Sequence, residues 1–349
     1  MKKKFLALLL ALGIFLCGCD MAVLPDLPQP SLSADGDTLS VHYIDVGQAD
    51  CILVETAGKF LLIDGGNKDD SQLVVSYLEQ QGVQELEAVI CTHPHEDHVG
   101  GLPAVLAVFP TRAVYAPTNT YSSKIFDSFL YYVDQQGLEV TIPSPGQLLT
   151  MGDMIMTFVG PVKSYAETND TSIVLSAFFD DVRFIFTGDM EVAAENDMLD
   201  HWGAQMDWDS TVLKVGHHGS STSSGYRFIR EIDPEYAIVS VGADNSYGHP
   251  HEEVVSRYAD AGIPLFRTDE LGHIIVTADG SDVQITWEDQ NAQPSDVESA
   301  DTTYIGNKNS RKLHLPSCAN LPAENNQVRF TDYDEAIAQG FTPCGSCMN

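Results

Sequence analysis

Apolar residues recur along this chain with two different periods, and the switches between them mark out strands and helices. Near the start, "TLSVHYIDVGQADC" and "ILVETAGKFLLIDGG" are rich in Val, Ile and Tyr and broken by glycines, the pattern of paired strands with tight turns. "SQLVVSYLEQQG" carries apolar residues at helical spacing and ends in Gly82, which predicts a helix, and "LEAVICT" reads as a buried strand. Further helices are predicted over roughly 101–109 and 123–136, around "EVAAENDMLD", and over "SSGYRFIREI" and "HEEVVSRYADAG". Strands are predicted at "RAVYAP", "MIMTFVGP", "TSIVLSAFF", "DVRFIFTGD", "STVLKVGHHGS" and "YAIVSVG", with "PLFRT", "GHIIVTAD" and "DVQITWE" closing the domain. Two comparable halves of this kind fit an α/β fold of two sheets covered by helices, a four-layer αββα sandwich over residues 39–288.

The two ends depart from this pattern. Three lysines, an apolar run from Phe5 to Leu16 and then Gly18 and Cys19 open the chain. A spanning helix needs about 20 apolar residues, so the run reads as a secretory leader over residues 1–18. Leu16-Cys17-Gly18-Cys19 resembles a bacterial lipobox, which implies cleavage before Cys19, lipidation of its sulfur and a chain anchored to the extracytoplasmic face of the cell membrane. The alternative is an ordinary signal peptide cut nearby. Residues 19–38 then read as a tether, and 289–303, "DQNAQPSDVESADTT", as a linker almost without large apolar residues. A small module over 304–349 ends the chain. No transmembrane bundle follows the large domain, so no pore is expected in this chain; the oligomeric state is left open.

Composition adds one constraint. With 349 residues, 44% of them hydrophobic, the chain can bury a substantial core, but its formal net charge is −32. A field of that sign repels phosphate backbones, so a nucleic-acid substrate would require metals and local patches to offset it.

The chemistry concentrates in "VICTHPHEDHVGG", where His93, His95, Glu96, Asp97 and His98 fall within six positions behind an apolar strand. Imidazoles and carboxylates suit borderline or hard divalent ions, and two such ions close together can activate water and stabilise a displacement. His93 and His95 alternate, as residues off a strand end do, while Asp97 and His98 can serve a neighbouring ion; Glu96 is expected to face outward.

The HxHxDH string resembles the signature of the metallo-β-lactamase fold superfamily, and the resemblance extends from about Leu39 to Glu288. It implies that Asp64 in "LLIDGG" steadies the metal loop, that Asp189 in "FIFTGDM" bridges two ions, and that His217 in "KVGHHGS" is the late histidine of the second ion's site, with His218 beside it as ligand, phosphate donor or structural residue. Within the superfamily, "YIDVGQADCILVE", "NDTSIVL", "LKVGHHGSSTSS", "SVGADNSYGHPHEEVVSRY" and "FRTDELGHI" resemble the hydrolase domain of ComEC-type competence proteins, which take up DNA and whose domain is associated with nuclease activity. The implied cofactors are two divalent ions, zinc or manganese, and the implied catalytic residues are Asp97, His218 and His249. His249 would donate to phosphate or protonate a leaving oxygen, unless it merely belongs to the loop before His251. One departure stands out: many relatives place a third histidine for the first ion where this chain has Asn169 and Asp170, so Asp170 or water is left to complete that shell. "HHGSSTSS" offers Ser220, Ser221 and backbone N–H groups as a phosphate cradle or, equally, as a helix cap.

In the end module, His314-x3-Cys318 and Cys344-x2-Cys347 present four soft ligands suited to one structural zinc. The module resembles the metal-binding module of Ada-type DNA repair proteins, with His314 where those have a cysteine. The alternative is a disulfide from Cys318 to Cys344 or Cys347. Lys308, Arg311 and Lys312 give it a basic edge that could meet DNA. Cys51 and Cys91 read as buried core thiols. Three functions remain on these grounds: an extracytoplasmic, lipid-anchored phosphodiesterase or nuclease acting on DNA or nucleotides; a hydrolase of small esters, thioesters or lactones; and a non-catalytic DNA-binding lipoprotein using the end module.

Overall fold

The computed structural model describes residues 38–289, 292–294, 303–316, 318–331 and 333–348. The leader, the candidate lipidation residue Cys19, nearly all of the tether and most of the linker lie outside the described residues.

Two sheets form the body. The first has eight strands in the order Val283–Trp287, Ile274–Ala278, Leu39–Tyr43, Ile52–Thr56, Lys59–Ile63, Ala88–Ile90, Val114–Tyr115 and Val140–Thr141. The second has seven, in the order Leu265–Arg267, Tyr236–Val239, Val212–Lys214, Val182–Phe186, Val174–Phe179, Met154–Gly160 and Leu148–Met151. The edge strands Val140–Thr141 and Leu148–Met151 and the short helix Thr268–Leu271 have no counterpart in the sequence reading; all three are two to four residues long, too short for a period to register.

Alternation along each strand builds three separate cores. Ile52, Val54, Leu61 and Ile63 point inward to meet Phe158, Leu175, Phe184 and Phe186 of the facing sheet. Leu53 and Leu62, on the opposite face, pack with Val74, Tyr77, Leu102 and Phe129 of the outer helices. In the second sheet, Val174 and Ile185 likewise turn outward to Met198, Ile229 and Tyr258. Because both faces of these strands are buried, they read as nearly continuous apolar runs. The four-layer αββα sandwich expected for residues 39–288 is thus the observed architecture.

The end module carries its own sheet, Gln327–Phe330, Tyr304–Asn307, Lys312–His314 and Thr342–Pro343, with a helix at Tyr333–Ala338. Its core of Tyr304, Leu313, Phe330, Tyr333 and Phe341 includes Tyr226 of the large domain. The Tyr226 and Tyr333 rings stack with centroids 6.3 Å apart, and the Arg230 guanidinium lies 4.6 Å from the Tyr333 centroid. Among the described residues, no helix is long and apolar enough to cross a membrane.

Candidate metal centre

Loops from both halves meet at one edge of the sandwich. The His93–Gly101 loop leaves the strand Ala88–Ile90, folds through a four-residue helix, Glu96–Val99, and is laced to its neighbours by main chain: Gly65 N–H donates to His98 O at 2.7 Å and Asp50 N–H to Asp97 O at 3.1 Å. Such close approach leaves no room for side chains. A Cβ on Gly101 would lie 2.1 Å from Gly65 O, and one on Gly100 2.3 Å from Lys68 N. Glu96 is exposed and accepts from Lys68 N–H at 2.9 Å.

Asp64 carries the loop from behind. Its carboxylate accepts from Thr92 N–H at 2.7 Å and from Thr92 Oγ1 at 2.6 Å, and it lies 2.8 Å from His98 Nδ1. That contact places a proton on Nδ1 and turns the Nε2 lone pair outward. His218 is set the same way, with Nδ1 3.0 Å from Ser240 O and 3.3 Å from Asp50 Oδ1.

Asp189 Oδ2 stands at the centre, with four imidazole Nε2 atoms around it: His98 at 3.2 Å, His218 at 3.6 Å, and His93 and His217 at 3.8 Å each. Asp97, His98, Asp189 and His218 offer ligand atoms that all lie within 4.8 Å of one another. His93 Nε2 and His95 Nδ1 are 2.9 Å apart. Asp189 Oδ1, His98 Nε2 and His218 Nε2 are buried without any hydrogen bond, as metal-ligating atoms would be when considered without their ion. The donor set therefore fits divalent ions.

Two sequence expectations change. His218, rather than His217, joins Asp97 and His98, because both histidines adopt left-handed backbone (φ 48° and 52°), which swings His218 inward and leaves His217 partly exposed toward Asn169. Left-handed non-glycine residues cost on the order of 1–3 kcal/mol each, a cost that such structures carry where a site requires it. Asp170 is engaged elsewhere: its Oδ1 accepts from Glu191 N–H at 3.1 Å at the start of the helix Val192–Trp202, and it is in none of the described ligand clusters.

The proposed phosphate cradle also closes on itself. Ser220 N–H donates to His217 O and Ser221 N–H to His251 Nδ1, which leaves neither free. His249 sits at the cleft rim, where Gln48 Nε2 is 3.3 Å from its Nδ1. Gln48 Oε1 accepts from Gly242 N–H at 3.2 Å, so the amide orientation is fixed, Nδ1 is the acceptor and the proton resides on Nε2. Burial, then the nearby His217 and His218, hold His249 down to about 4, so it stays neutral at pH 7 and donates without being an acid.

Four residues central to the site went unremarked in the sequence: Lys214, Asp50, Glu191 and Gln48. Lys214 is fully buried, with Nζ 2.7 Å from Asp50 Oδ2 and 2.9 Å from Val215 O. Burial alone would raise Asp50, but Lys214 and His218 together hold it below the usual carboxylate range. A lysine inside the apolar string "STVLKVG" was a usable signal, since a buried charge needs a partner. Glu191 and Gln48 carried no such signal.

Burial disfavours charge on both His98 and His218. Asp189 and Asp64 nevertheless push His98 well above 6.5, and Asp189 and Asp50 push His218 up to about 10. The metal-free protein therefore holds protons on these imidazoles at pH 7. Loading an ion is expected to release about two protons from them and to weaken as pH falls, a stoichiometry that calorimetry in buffers of different ionisation enthalpy measures. For the stripped protein, His218's raised value adds stability that is complete below 6.5 and is lost as pH rises through about 10, so its Tm should fall across that window.

In the end module, ligand atoms of His314, Cys318, Cys344 and Cys347 lie within 4.8 Å of one another, and all three thiols are free. The basic edge turns onto the module itself: Arg311 bonds Gln339 O, Lys312 Nζ is 3.2 Å from Pro343 O, and Lys308 Nζ is 3.4 Å from Asn325 O. Cys51 and Cys91 are buried.

A sequence model described as "Metallo-beta-lactamase superfamily" matches residues 44–243. "ComE operon protein 3" of Bacillus subtilis (strain 168) is 29% identical over 264 residues, 70% of this chain and 33% of that protein. "Competence protein ComA" of Neisseria gonorrhoeae is 31% identical over 233 residues, 65% of this chain and 30% of that protein. The chain thus spans about a third of the length of these relatives. Among solved structures, the metallo-beta-lactamase fold protein YhfI from Bacillus subtilis aligns at TM-score 0.48 and 14% identity, covering 72% of this chain and 100% of that one.

Proposed function

Because the chain belongs to the metallo-beta-lactamase superfamily, we propose that it is a binuclear metallohydrolase that cleaves phosphodiester bonds in DNA or nucleotides, held at the extracytoplasmic face of a membrane by a lipid on Cys19. Two divalent ions, zinc or manganese, when bound to such a centre supply Lewis acidity for a phosphoryl oxygen and lower the pKa of water.

The chain's own residues supply the rest. Asp97, partly exposed in the cleft and 3.4 Å from His218 Nε2, orients the attacking water as well as offering a ligand oxygen. The neutral His249 Nε2–H donates to a phosphate oxygen. That donor is the observation that carries the reading. It stands at the rim of a cleft of about 550 Å³, its ring centroid 5.6 Å from that of His217, and the Tyr247 ring stacks on it at 5.6 Å and 24°. Tyr247 is 68% exposed, so beside the anion donor the cleft presents an aromatic face of the kind that stacks on nucleobases. One of the relatives reported above is named a competence protein, and together with the resemblance to DNA-uptake proteins this favours DNA over small esters. In the end module, one zinc on His314, Cys318, Cys344 and Cys347 would staple the small sheet.

The test is a substrate panel with metal-loaded protein: linear and single-stranded DNA, a chromogenic phosphodiester, a thioester and a lactone. Metal-dependent cleavage of the phosphodiesters is expected. Tyr247→Ala should weaken single-stranded DNA binding by about 1–3 kcal/mol, roughly 5- to 150-fold. Turnover of the thioester or lactone alone would sink the proposal. DNA binding without turnover, kept in Asp189→Ala and lost with the zinc in Cys344→Ser, would move the function to the end module.

A further inference from the structure

We propose that His217 is a ligand of the first metal ion, replacing the histidine that this chain lacks at Asn169, so that the adjacent pair His217 and His218 is divided between the two ions. The inference rests on the two-ion reading of the centre and goes beyond it by assigning the missing ligand. On sequence grounds the first ion had only His93, His95 and the bridging Asp189, with Asp170 or water to complete it. Asp170 is tied to the Glu191 main chain and leaves that place open.

Three observations converge on His217. Its Nε2 lies 3.8 Å from Asp189 Oδ2, the same separation as His93 Nε2, and both stand outside the Asp97, His98, Asp189 and His218 cluster. Its Nδ1 lies 3.2 Å from Glu191 Oε1 and 3.2 Å from Thr222 Oγ1, while Thr222 Oγ1 donates to the same carboxylate oxygen at 2.9 Å. A carboxylate on Nδ1 is how metal-bound imidazoles are ordinarily oriented, with Nε2 left as the ligating atom. The third observation is the backbone. Successive residues in a helical turn project about 100° apart, so a left-handed pair can reach two different points, and these ring centroids are 6.2 Å apart at 64°.

Asn169 takes a new role as a positioning residue. Its Nδ2 donates to Glu191 Oε1 at 3.1 Å and so holds the carboxylate that orients His217 Nδ1. A histidine there would reach the ion directly; the shorter amide lets His217 take its place.

Elemental analysis of the full chain decides the matter. Relative to the wild type, His217→Ala and His218→Ala should each lose one equivalent of metal, and the double variant two, because the residues serve different ions. Asn169→Ala should keep the full count at saturating metal while weakening its affinity by about 10- to 100-fold, as loss of an orienting partner does. A double variant that loses only one equivalent means both histidines serve the same ion and overturns the inference. So does His217→Ala at full count, or an equivalent missing from Asn169→Ala at saturating metal. A wild type with fewer than two cleft ions would instead overturn the binuclear reading, and the inference with it. As a second measurement that does not depend on removing a ligand, His217→Cys loaded with cobalt should add a thiolate-to-cobalt charge-transfer band to that of the end-module thiolates. No added band counts against ligation.

Discussion

Asp189→Ala is expected to lower hydrolytic turnover by at least about a thousandfold while leaving the fold in place. One carboxylate oxygen lies 3.2 to 3.8 Å from the Nε2 atoms of His98, His218, His93 and His217. On the two-ion reading, removing it would take an anionic oxygen from both ions at once. Metal assistance of this kind is worth several kcal/mol in the transition state, and each 1.36 kcal/mol is about tenfold in rate. Its Oδ1 has no hydrogen-bond partner, and the ion pairs of Oδ2 are with the candidate ligands themselves. Steady-state assays, metal content and a melting curve on one preparation check all three claims. Activity within tenfold of the wild type would remove Asp189 from the centre. Asp170→Ala is the control, since it should cost about 1 kcal/mol through the lost helix-start hydrogen bond and leave the metal count unchanged.

Lys214→Met should destabilise the metal-free protein by about 3–5 kcal/mol, the usual result of leaving a buried charge without its partner. Asp50 would keep its carboxylate in a buried site, with the ammonium formerly 2.7 Å away gone. Adding Asp50→Leu to the same chain should restore part of that loss, because an apolar pair of similar volume removes the carboxylate that lost its ammonium, while also taking Asp50 from the protonated His218. Function should not return with it. Asp50 Oδ1 faces His218 Nδ1 at 3.3 Å, and losing such an orienting partner typically costs 10- to 100-fold in metal affinity. Urea unfolding and metal titration of both variants separate the two effects. Stability that fails to recover in the double variant would show that the pair acts through packing instead.

The layered body was readable in advance because its strands alternate between two buried faces: Leu62 and Leu61 serve different cores, and either choice keeps the position apolar. The histidine loop was readable too, since no core requires "HPHEDH". What the linear string could not show is rotation. "HHGS" names two histidines, but only the left-handed turn decides that His218 faces Asp97 and His218's neighbour faces Glu191. Asp170 misled for a related reason, because a carboxylate beside a metal loop and one at a helix start look alike until the backbone direction is known. Docking through Tyr226 and Tyr333 leaves no periodic trace either, as each ring is a single position in its own segment.

The candidate ligands are divided between the halves of the sandwich, with His93 to His98 following a strand of the first sheet and Asp189, His217 and His218 following strands of the second. Any ion they shared would therefore be a non-covalent cross-link between two layers whose facing surfaces are apolar and whose polar links, such as Lys214 to Asp50, are few. Ambient metal then enters the folding equilibrium itself: above the dissociation constant, each tenfold rise in free ion adds about 1.4 kcal/mol per site to the folded state. A protein built this way would have its resistance to unfolding set by the mineral content of its surroundings, and scarcity would loosen the seam before it touched either sheet.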